Sequence, residues 1–91
     1  MIKVWSDEAW GDYLYWQAID RKTLKRINVL IRDVERRGMA EGMRMPEPLR
    51  GNLSGWWSRR IDPKNRLVYR IRGADEPRLE IASCRTHYGE R

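Results

Sequence analysis

The sequence predicts an α+β domain in which two N-terminal helices pack on a twisted antiparallel β-sheet. Apolar residues recur with the period of a helix in the first part of the chain and with the period of a strand in the second part. The turns between the strands are short, which is typical of antiparallel hairpins. A chain of 91 residues that is 41% hydrophobic can bury one core. We therefore expect a single domain over residues 1–91, with the helices on one sheet face and the other face free for a ligand.

The first predicted elements are a strand and a helix. Residues alternate over Ile2–Trp5, as they do in a short strand. Ser6 or Asp7 can then cap a helix that runs to about Ile19. One broad face of this helix is predicted to be apolar and to carry Trp10, Tyr13, Leu14 and either Trp16 or Gln17.

A second helix is predicted between Asp20, which can cap it, and Arg37, with Gly38 as the C-terminal stop. Apolar residues recur through it at helical spacing, at Leu24, Ile27, Leu30, Ile31 and Val34. Its outer face is rich in Lys and Arg. That face is either solvated or able to grip phosphates.

Gly42, Pro46 and Pro48 interrupt the pattern and predict a loop over residues 39–48. Beyond it, the alternation predicts four strands, over residues 49–53, 56–61, 66–72 and 78–85. The segments between them contain Gly, Pro, Asp and Asn, the residues that turns prefer. This order of helices followed by hairpins is the pattern of an α+β domain.

Alternation in the strand over residues 66–72 predicts one apolar face and one cationic face. Leu67, Tyr69 and Ile71 point one way, and the opposite face carries Arg66, Val68, Arg70 and Arg72. If Arg60 lies opposite Arg66 across the preceding turn, Trp57 lies opposite Tyr69 on the core face. The arginines then gather on the open face, where they either bind an anion or are merely solvated.

Composition restricts the function classes. Nineteen Lys and Arg against thirteen Asp and Glu give a formal net charge of +6. This charge favours a polyanionic partner such as nucleic acid, although a solvated basic surface is the alternative. A single Cys excludes an internal disulfide, and one Cys with one His supplies fewer ligands than a zinc site needs. We expect neither a metal nor another cofactor.

No apolar run approaches the length of a membrane span, and "MIKVWSDEAW" turns acidic where a signal peptide is apolar. We therefore expect a cytoplasmic protein with no membrane partner.

Two titratable residues are candidates for acid–base chemistry. Glu47 stands between Pro46 and Pro48, which hold its short segment in an extended conformation; the alternative is a solvent-exposed Glu in a Pro-rich loop. His87 is the only histidine, and it can supply a proton near neutral pH. The parity of the last strand directs His87 toward the core face, so a bulge or a bend is needed to aim it at Arg66.

A carboxylate, an arginine and a histidine on a basic surface are the parts of a metal-free ribonuclease. A base removes the proton of the RNA 2′-hydroxyl, a cation stabilises the charge of the phosphorane, and an acid protonates the leaving 5′-oxygen. Glu47, Arg66 and His87 can supply these three roles.

Three stretches, "WSDEAWGDYLYWQ", "PEPLRGNLSGWWSRRIDPKNRLVYRI" and "CRTHY", resemble the YoeB (Txe/YoeB) family of bacterial toxins in the RelE superfamily. They occur in the family's order and spacing up to Tyr88. The resemblance implies a RelE-type, microbial ribonuclease-like fold and an antitoxin partner of the YefM type. It also implies ribosome-dependent cleavage of mRNA in the A site, which inhibits translation. Whether the chain forms a homodimer is left open.

Position by position, the resemblance implies catalytic roles for Glu47 as general base, Arg66 as phosphate-stabilising cation and His87 as general acid. It further implies RNA contacts by Arg50 and Arg60 at the phosphate or the ribosomal RNA, and by Tyr88 on the mRNA. An acidic or amphipathic antitoxin tail laid over Arg60 and Arg66 would block the substrate.

Two other function classes remain open at this point. One is a non-catalytic toxin like the related ParE proteins, which act on DNA gyrase with the same fold. The other is a plain RNA-binding module whose basic face supplies only affinity. The acid–base set argues against the first, since a gyrase binder does not need a carboxylate and a histidine at these positions. If the second is correct, ablation of His87 should leave the biological effect intact.

Overall fold

The computed structural model of the protein describes residues 1–85, which form two helices packed on a five-stranded sheet. The elements in chain order are β1 (Ile2–Trp5), α1 (Asp7–Ile19), α2 (Arg21–Arg37), β2 (Glu47–Pro48), a 3-10 turn (Gly51–Leu53), β3 (Trp57–Arg60), β4 (Arg66–Arg72) and β5 (Arg78–Ser83). The predicted α+β class and the bounds of both helices are confirmed. No helix within residues 1–85 has the length and the hydropathy of a membrane span.

The sheet is mixed rather than purely antiparallel as predicted. Its strand order is β1-β5-β4-β3-β2, and the four strands from β2 to β5 pair antiparallel. Strand β1 joins the free edge of β5 in the parallel sense, with Ile2 paired to Arg78 and Trp5 to Ile81. Parallel neighbours need a crossover connection, and here the whole helical layer and three strands lie between the two partners. Period-two alternation cannot distinguish the two pairing senses.

The predicted strand over residues 49–53 is wrong. The extended pairing is limited to β2, and Gly51 then adopts a φ of 63°, in the left-handed region that only glycine enters at low cost. The Leu53 amide donates to the carbonyl of Arg50, and the Ser54 amide donates to that of Gly51. The chain therefore turns immediately after β2.

The caps of both helices follow the prediction. The Ser6 hydroxyl accepts from the Ala9 amide at 2.9 Å and donates to the carbonyl of Ala82 at 2.8 Å, so it joins α1 to β5 as well as capping it. Asp20 accepts from the amide and the hydroxyl of Thr23.

Replacing Ser6 by Ala is expected to lower the free energy of unfolding by about 1 kcal/mol, since the first turn of α1 loses its acceptor. Urea denaturation followed by circular dichroism measures the change. Ser6→Thr keeps a capping hydroxyl and should retain most of the stability. Equal losses in the two variants would contradict a capping role.

The core lies between the helices and one face of the sheet. Helix α2 presents its predicted apolar face, whereas α1 differs from the prediction: Trp10 and Leu14 are exposed by 47% and 43%. Trp10 stacks on Tyr13 at the surface, with ring centroids 5.7 Å apart. The buried hydrophobic cluster consists of Ala9, Trp16, Ile27, Leu30, Ile31, Val34, Ile61, Leu67, Tyr69, Leu79, Ile81 and Cys84.

Strand β5 contains a β-bulge. Tyr69 pairs with Ile81, but Val68 pairs with Ser83, so Ala82 is an extra residue. The bulge reverses the alternation of side chains, so that Ser83 shares a face with Val68 and Cys84 is buried in the core. The strand parity predicted that His87 could face Arg66 only if a bulge or a bend preceded it. His87 itself lies outside the described residues.

Candidate active site

The cationic face of β4 lies on the side of the sheet away from the helices, because Leu67 and Tyr69, which alternate with its arginines, are buried in the core. The predicted register is confirmed: Arg60 pairs with Arg66, and Trp57 pairs with Tyr69. Strand β2 extends this open face by one more strand.

Glu47 and Arg66 meet on the open face. Glu47 pairs with Ser58, which pairs with Val68, so the carboxylate lies one row along the sheet from Arg66. Its Oε2 lies 3.8 Å from Nη1 of Arg66, and the same Nη1 lies 3.5 Å from the Ser58 hydroxyl. Arg66 is 13% exposed and Glu47 is 47% exposed in their side chains. A half-exposed acceptor therefore stands beside a largely buried guanidinium.

The backbone on both sides of Glu47 is held firmly. The amide of Leu49 donates to the carbonyl of Trp56 at 2.9 Å. On the other side, Arg44 and Met45 have φ values of 66° and 56°, an uncommon conformation for residues with a Cβ. The Arg60 amide donates to the carbonyl of Arg44 at 3.0 Å and holds this turn against β3.

A buried arginine anchors the loop of residues 38–46, the α2–β2 loop, which leads to Glu47. Arg59 is fully buried and forms an ion pair with Asp33 of α2. Gly42, with a φ of 119°, passes so close that a Cβ there would overlap Oδ2 of Asp33 and lie 2.8 Å from Nη1 of Arg59. The guanidinium also donates to loop carbonyls, those of Gly38, Glu41 and Met43.

The pKa values of two groups in this network are shifted. Burial raises the pKa of Asp33, but hydrogen bonds from the Met43 amide and from Arg59, with the charge of Arg59, outweigh it and hold the pKa below its ordinary 3.8. Burial raises the pKa of Tyr69 above its ordinary 10.0. Asp33 is therefore charged at neutral pH, and the Tyr69 hydroxyl keeps its proton and donates it to the carbonyl of Met39 at 2.7 Å.

Arg59 was not among the site residues predicted from the sequence. The available signal was its position in β3: Arg59 is two residues after Trp57, which was expected on the core face, so the alternation of the strand places Arg59 on that face too. A charged residue at such a position predicts a buried partner, and the partner, Asp33, lies 26 residues earlier in the chain.

Helix α1 holds the end of the described chain, a second feature that the sequence did not indicate. The Cys84 amide donates to Oδ2 of Asp12 at 2.9 Å, and Nε1 of Trp16 donates to the Cys84 carbonyl at 2.8 Å. The guanidinium of Arg85 lies 3.5 Å from the ring centroid of Tyr15. The point from which the chain continues toward His87 is thereby fixed to α1.

The structure thus brings Glu47, Arg66 and Arg60 onto one open sheet face. Arg50 is exposed and stands at the N-terminal end of the 3-10 turn. The other two predicted site residues, His87 and Tyr88, lie outside the described residues.

Comparisons with known proteins cover nearly the whole chain. A family model described as "YoeB-like toxin of bacterial type II toxin-antitoxin system" matches residues 5–88. Toxin YoeB of Escherichia coli K12 is 53% identical over 88 residues, which are 97% of this chain and 100% of the relative.

Solved structures show the same fold. A YoeB/ParE toxin from Agrobacterium tumefaciens superposes with a TM-score of 0.92 at 44% identity, over 97% of this chain and 100% of that one. YoeB of Staphylococcus aureus, solved as a dimer and in complex with YefM, gives TM-scores of 0.86 at 42% and 41% identity, over 97% of this chain and 98% of each.

Proposed function

Because the chain belongs to the YoeB family of toxins of bacterial type II toxin-antitoxin systems, we propose that it is a metal-independent endoribonuclease that cleaves mRNA in the ribosomal A site and inhibits translation. The observation that carries this proposal is the pairing of the Glu47 carboxylate with the Arg66 guanidinium, 3.8 Å apart, on a cationic open face. A base and a cation at this separation can act on two adjacent groups of the RNA, the base on the 2′-hydroxyl and the cation on the phosphate.

The reaction is an in-line transphosphorylation within the RNA. Glu47 takes the proton of the 2′-hydroxyl as its oxygen bonds to the adjacent phosphorus, and Arg66 stabilises the negative charge that develops on the phosphorane. The bond from phosphorus to the 5′-oxygen breaks, and His87 gives that oxygen a proton. The products are a 2′,3′-cyclic phosphate and a free 5′-hydroxyl, so no water or cofactor is consumed.

The remaining site residues act on the RNA around the reacting phosphate. Arg60 pairs with Arg66 and is exposed, so it can contact a neighbouring phosphate without leaving its strand. Contacts by Arg50 with phosphate or ribosomal RNA and by Tyr88 with the mRNA complete the proposed set.

A YefM-like antitoxin is the proposed protein partner, supported by the S. aureus YoeB-YefM complex. An acidic or amphipathic segment of the antitoxin would lie over Arg60 and Arg66 and exclude the RNA. The S. aureus dimer likewise supports a homodimer of this chain. A translating ribosome as target places the toxin in the bacterial cytoplasm.

Primer extension on a defined mRNA in a reconstituted translation system tests the proposal. We expect a break within the A-site codon that requires ribosomes. The upstream fragment, analysed separately, should end in a 2′,3′-cyclic phosphate. A preparation that arrests growth but leaves this mRNA intact would contradict the proposal and favour the non-catalytic, gyrase-directed type.

A further inference from the structure

Three side chains form a stacked cluster on the open face, beside the candidate active site. The guanidinium of Arg70 lies over the Trp56 ring, 4.0 Å from its centroid. Its Nε donates to Oε1 of Glu80 at 2.6 Å. Arg70 pairs with Glu80 in the register, and Trp56 precedes the pair of Trp57 with Tyr69. The cluster, which we call the Arg70 platform, thus joins β4 and β5 to the residue that immediately precedes β3.

The Arg70 platform lies one row along the sheet from the row that contains Glu47. Arg66, Val68 and Arg70 alternate onto the same face of β4, and Val68 belongs to the row of Ser58 and Glu47. Successive rows on one face are two residues apart, which is roughly 6.6 to 6.8 Å along a strand. A nucleotide next to the one that reacts at Glu47 and Arg66 can therefore place its base over the Arg70 platform.

The geometry of Arg70 suits stacking. A guanidinium is a planar, delocalised cation with two faces, and the central carbon of the Arg70 guanidinium lies over the Trp56 ring. The bond to Glu80 is made at the edge of the plane, so it fixes the orientation without occupying a face. The side chain is 25% exposed. Because Arg70 is already held by two partners, little conformational freedom remains to be lost when a ligand binds.

We propose that Trp56, Arg70 and Glu80 form a nucleobase-stacking subsite, which binds the base of a nucleotide adjacent to the scissile phosphate. Single-stranded RNA is bound in this way, by stacking of its unstacked bases on aromatic rings and on Arg planes. The position of the base relative to the cut depends on the endoribonuclease function proposed above. Stacking itself does not depend on cleavage.

Binding of charge-matched RNAs tests the subsite. The probes are a short fluorescent 2′-O-methyl RNA, which lacks the 2′-hydroxyl nucleophile, and an abasic oligomer of the same length and charge. At low salt, fluorescence anisotropy should show the wild-type protein binding the base-containing RNA roughly 10-fold more tightly. Arg70→Lys keeps the charge but removes the plane, so it should lose most of this preference while its affinity for the abasic oligomer stays within about twofold.

Arg72→Lys is the matched control, because Arg72 lies one row further along the same face of β4 and is exposed. It should keep the preference for bases. Trp56→Tyr keeps an aromatic ring and should keep the preference for bases. Trp56→Leu has no ring and should lose it. These variants separate stacking from the merely structural pairing of β3, β4 and β5, which would change stability without distinguishing the two probes.

The subsite is overturned if Arg70→Lys and Arg72→Lys behave alike, or if the wild-type protein does not prefer bases. Primer extension on ribosomes with the same proteins separates this result from the proposed function. If Arg70→Lys loses the base-dependent binding but the wild-type protein does not cleave mRNA, the stacking subsite is supported and the endoribonuclease function is contradicted. If the wild-type protein cleaves mRNA but binds the two probes equally well, the endoribonuclease function is supported and the stacking subsite is contradicted.

Discussion

Replacing Glu47 by Gln is expected to slow mRNA cleavage on programmed ribosomes by about 10²- to 10⁴-fold, the range that a general base contributes. The amide has nearly the shape of the carboxylate but cannot accept the proton of the 2′-hydroxyl. The largely buried Arg66 keeps its contact with the Ser58 hydroxyl, and the Gln side-chain oxygen can still accept from it, so the substitution leaves no buried group without a partner. The contact of the Glu47 carboxylate with Arg66 is a long, partly exposed ion pair, whose loss changes stability by less than about 1 kcal/mol.

The rate is measured by single-turnover primer extension with the variant in excess over ribosomes, so that binding does not limit the signal. Glu76→Gln is the control, since Glu76 is exposed in the turn between β4 and β5, at the opposite end of β4 from Arg66. It should cleave at the wild-type rate. If Glu47→Gln also cleaved at that rate, Glu47 would not be the general base.

Replacing Arg59 by Met is expected to lower the free energy of unfolding by about 3 to 5 kcal/mol, because the largely buried Asp33 carboxylate loses its buried cation. It then keeps the exposed Arg37, whose Nε lies 3.2 Å from Oδ1 of Asp33. The carbonyls of Gly38 and Glu41 lose their donor in the same step. Since the α2–β2 loop leads directly to Glu47, cleavage should fall as well, even at temperatures where the variant is folded. Urea denaturation measures the first effect, and single-turnover cleavage measures the second.

Arg60→Met is the matched control, because Arg60 is the next residue of β3 and is exposed on the open face. Its stability should change by no more than about 0.5 kcal/mol. Combining Arg59→Met with Asp33→Leu should restore part of the loss, since no buried charge then remains. A loss in Arg59→Met no larger than in Arg60→Met would contradict an anchoring role.

The pKa of Asp33 gives this network a pH dependence with a defined sign. A carboxyl whose pKa is lowered on folding stabilises the protein fully above its unfolded value, 3.8, and this contribution is lost as the pH falls through the lower folded value. Acid titration of the free energy of unfolding should therefore show a steeper decline for the wild-type protein than for the double variant that lacks both charges. Equal slopes would mean that the ion pair does not contribute.

Much of the fold could be predicted because its signals are local. Ser6, Asp20 and Gly38 act on the backbone groups of their own helix ends, and such caps can be recognised in the sequence. The register of Arg60 with Arg66 follows from a short turn between two alternating strands. Glu47 and Arg66 were likewise identified as parts of one site, through their chemistry and through the family resemblance.

Other features depend on contacts between residues far apart in the chain. Neither the alternation of side chains nor the capping residues give information about such contacts. The parallel pairing of β1 with β5 is set by the path of the chain around the helices. Arg59 could be placed on the core face by parity, but the buried Asp33 that compensates its charge could not be named from β3 alone. The anchoring of Cys84 to Asp12 and Trp16 is of the same kind.

Periodicity, caps and turn residues therefore determine the elements of this protein, because each acts within a few residues of itself. Residue chemistry determines which side chains can take part in the reaction. The tertiary structure alone decides that the Glu47 carboxylate stands 3.8 Å from the Arg66 guanidinium. It does so because the distance depends on a loop held by a buried ion pair, and burying a charge is favourable only when the fold supplies its partner.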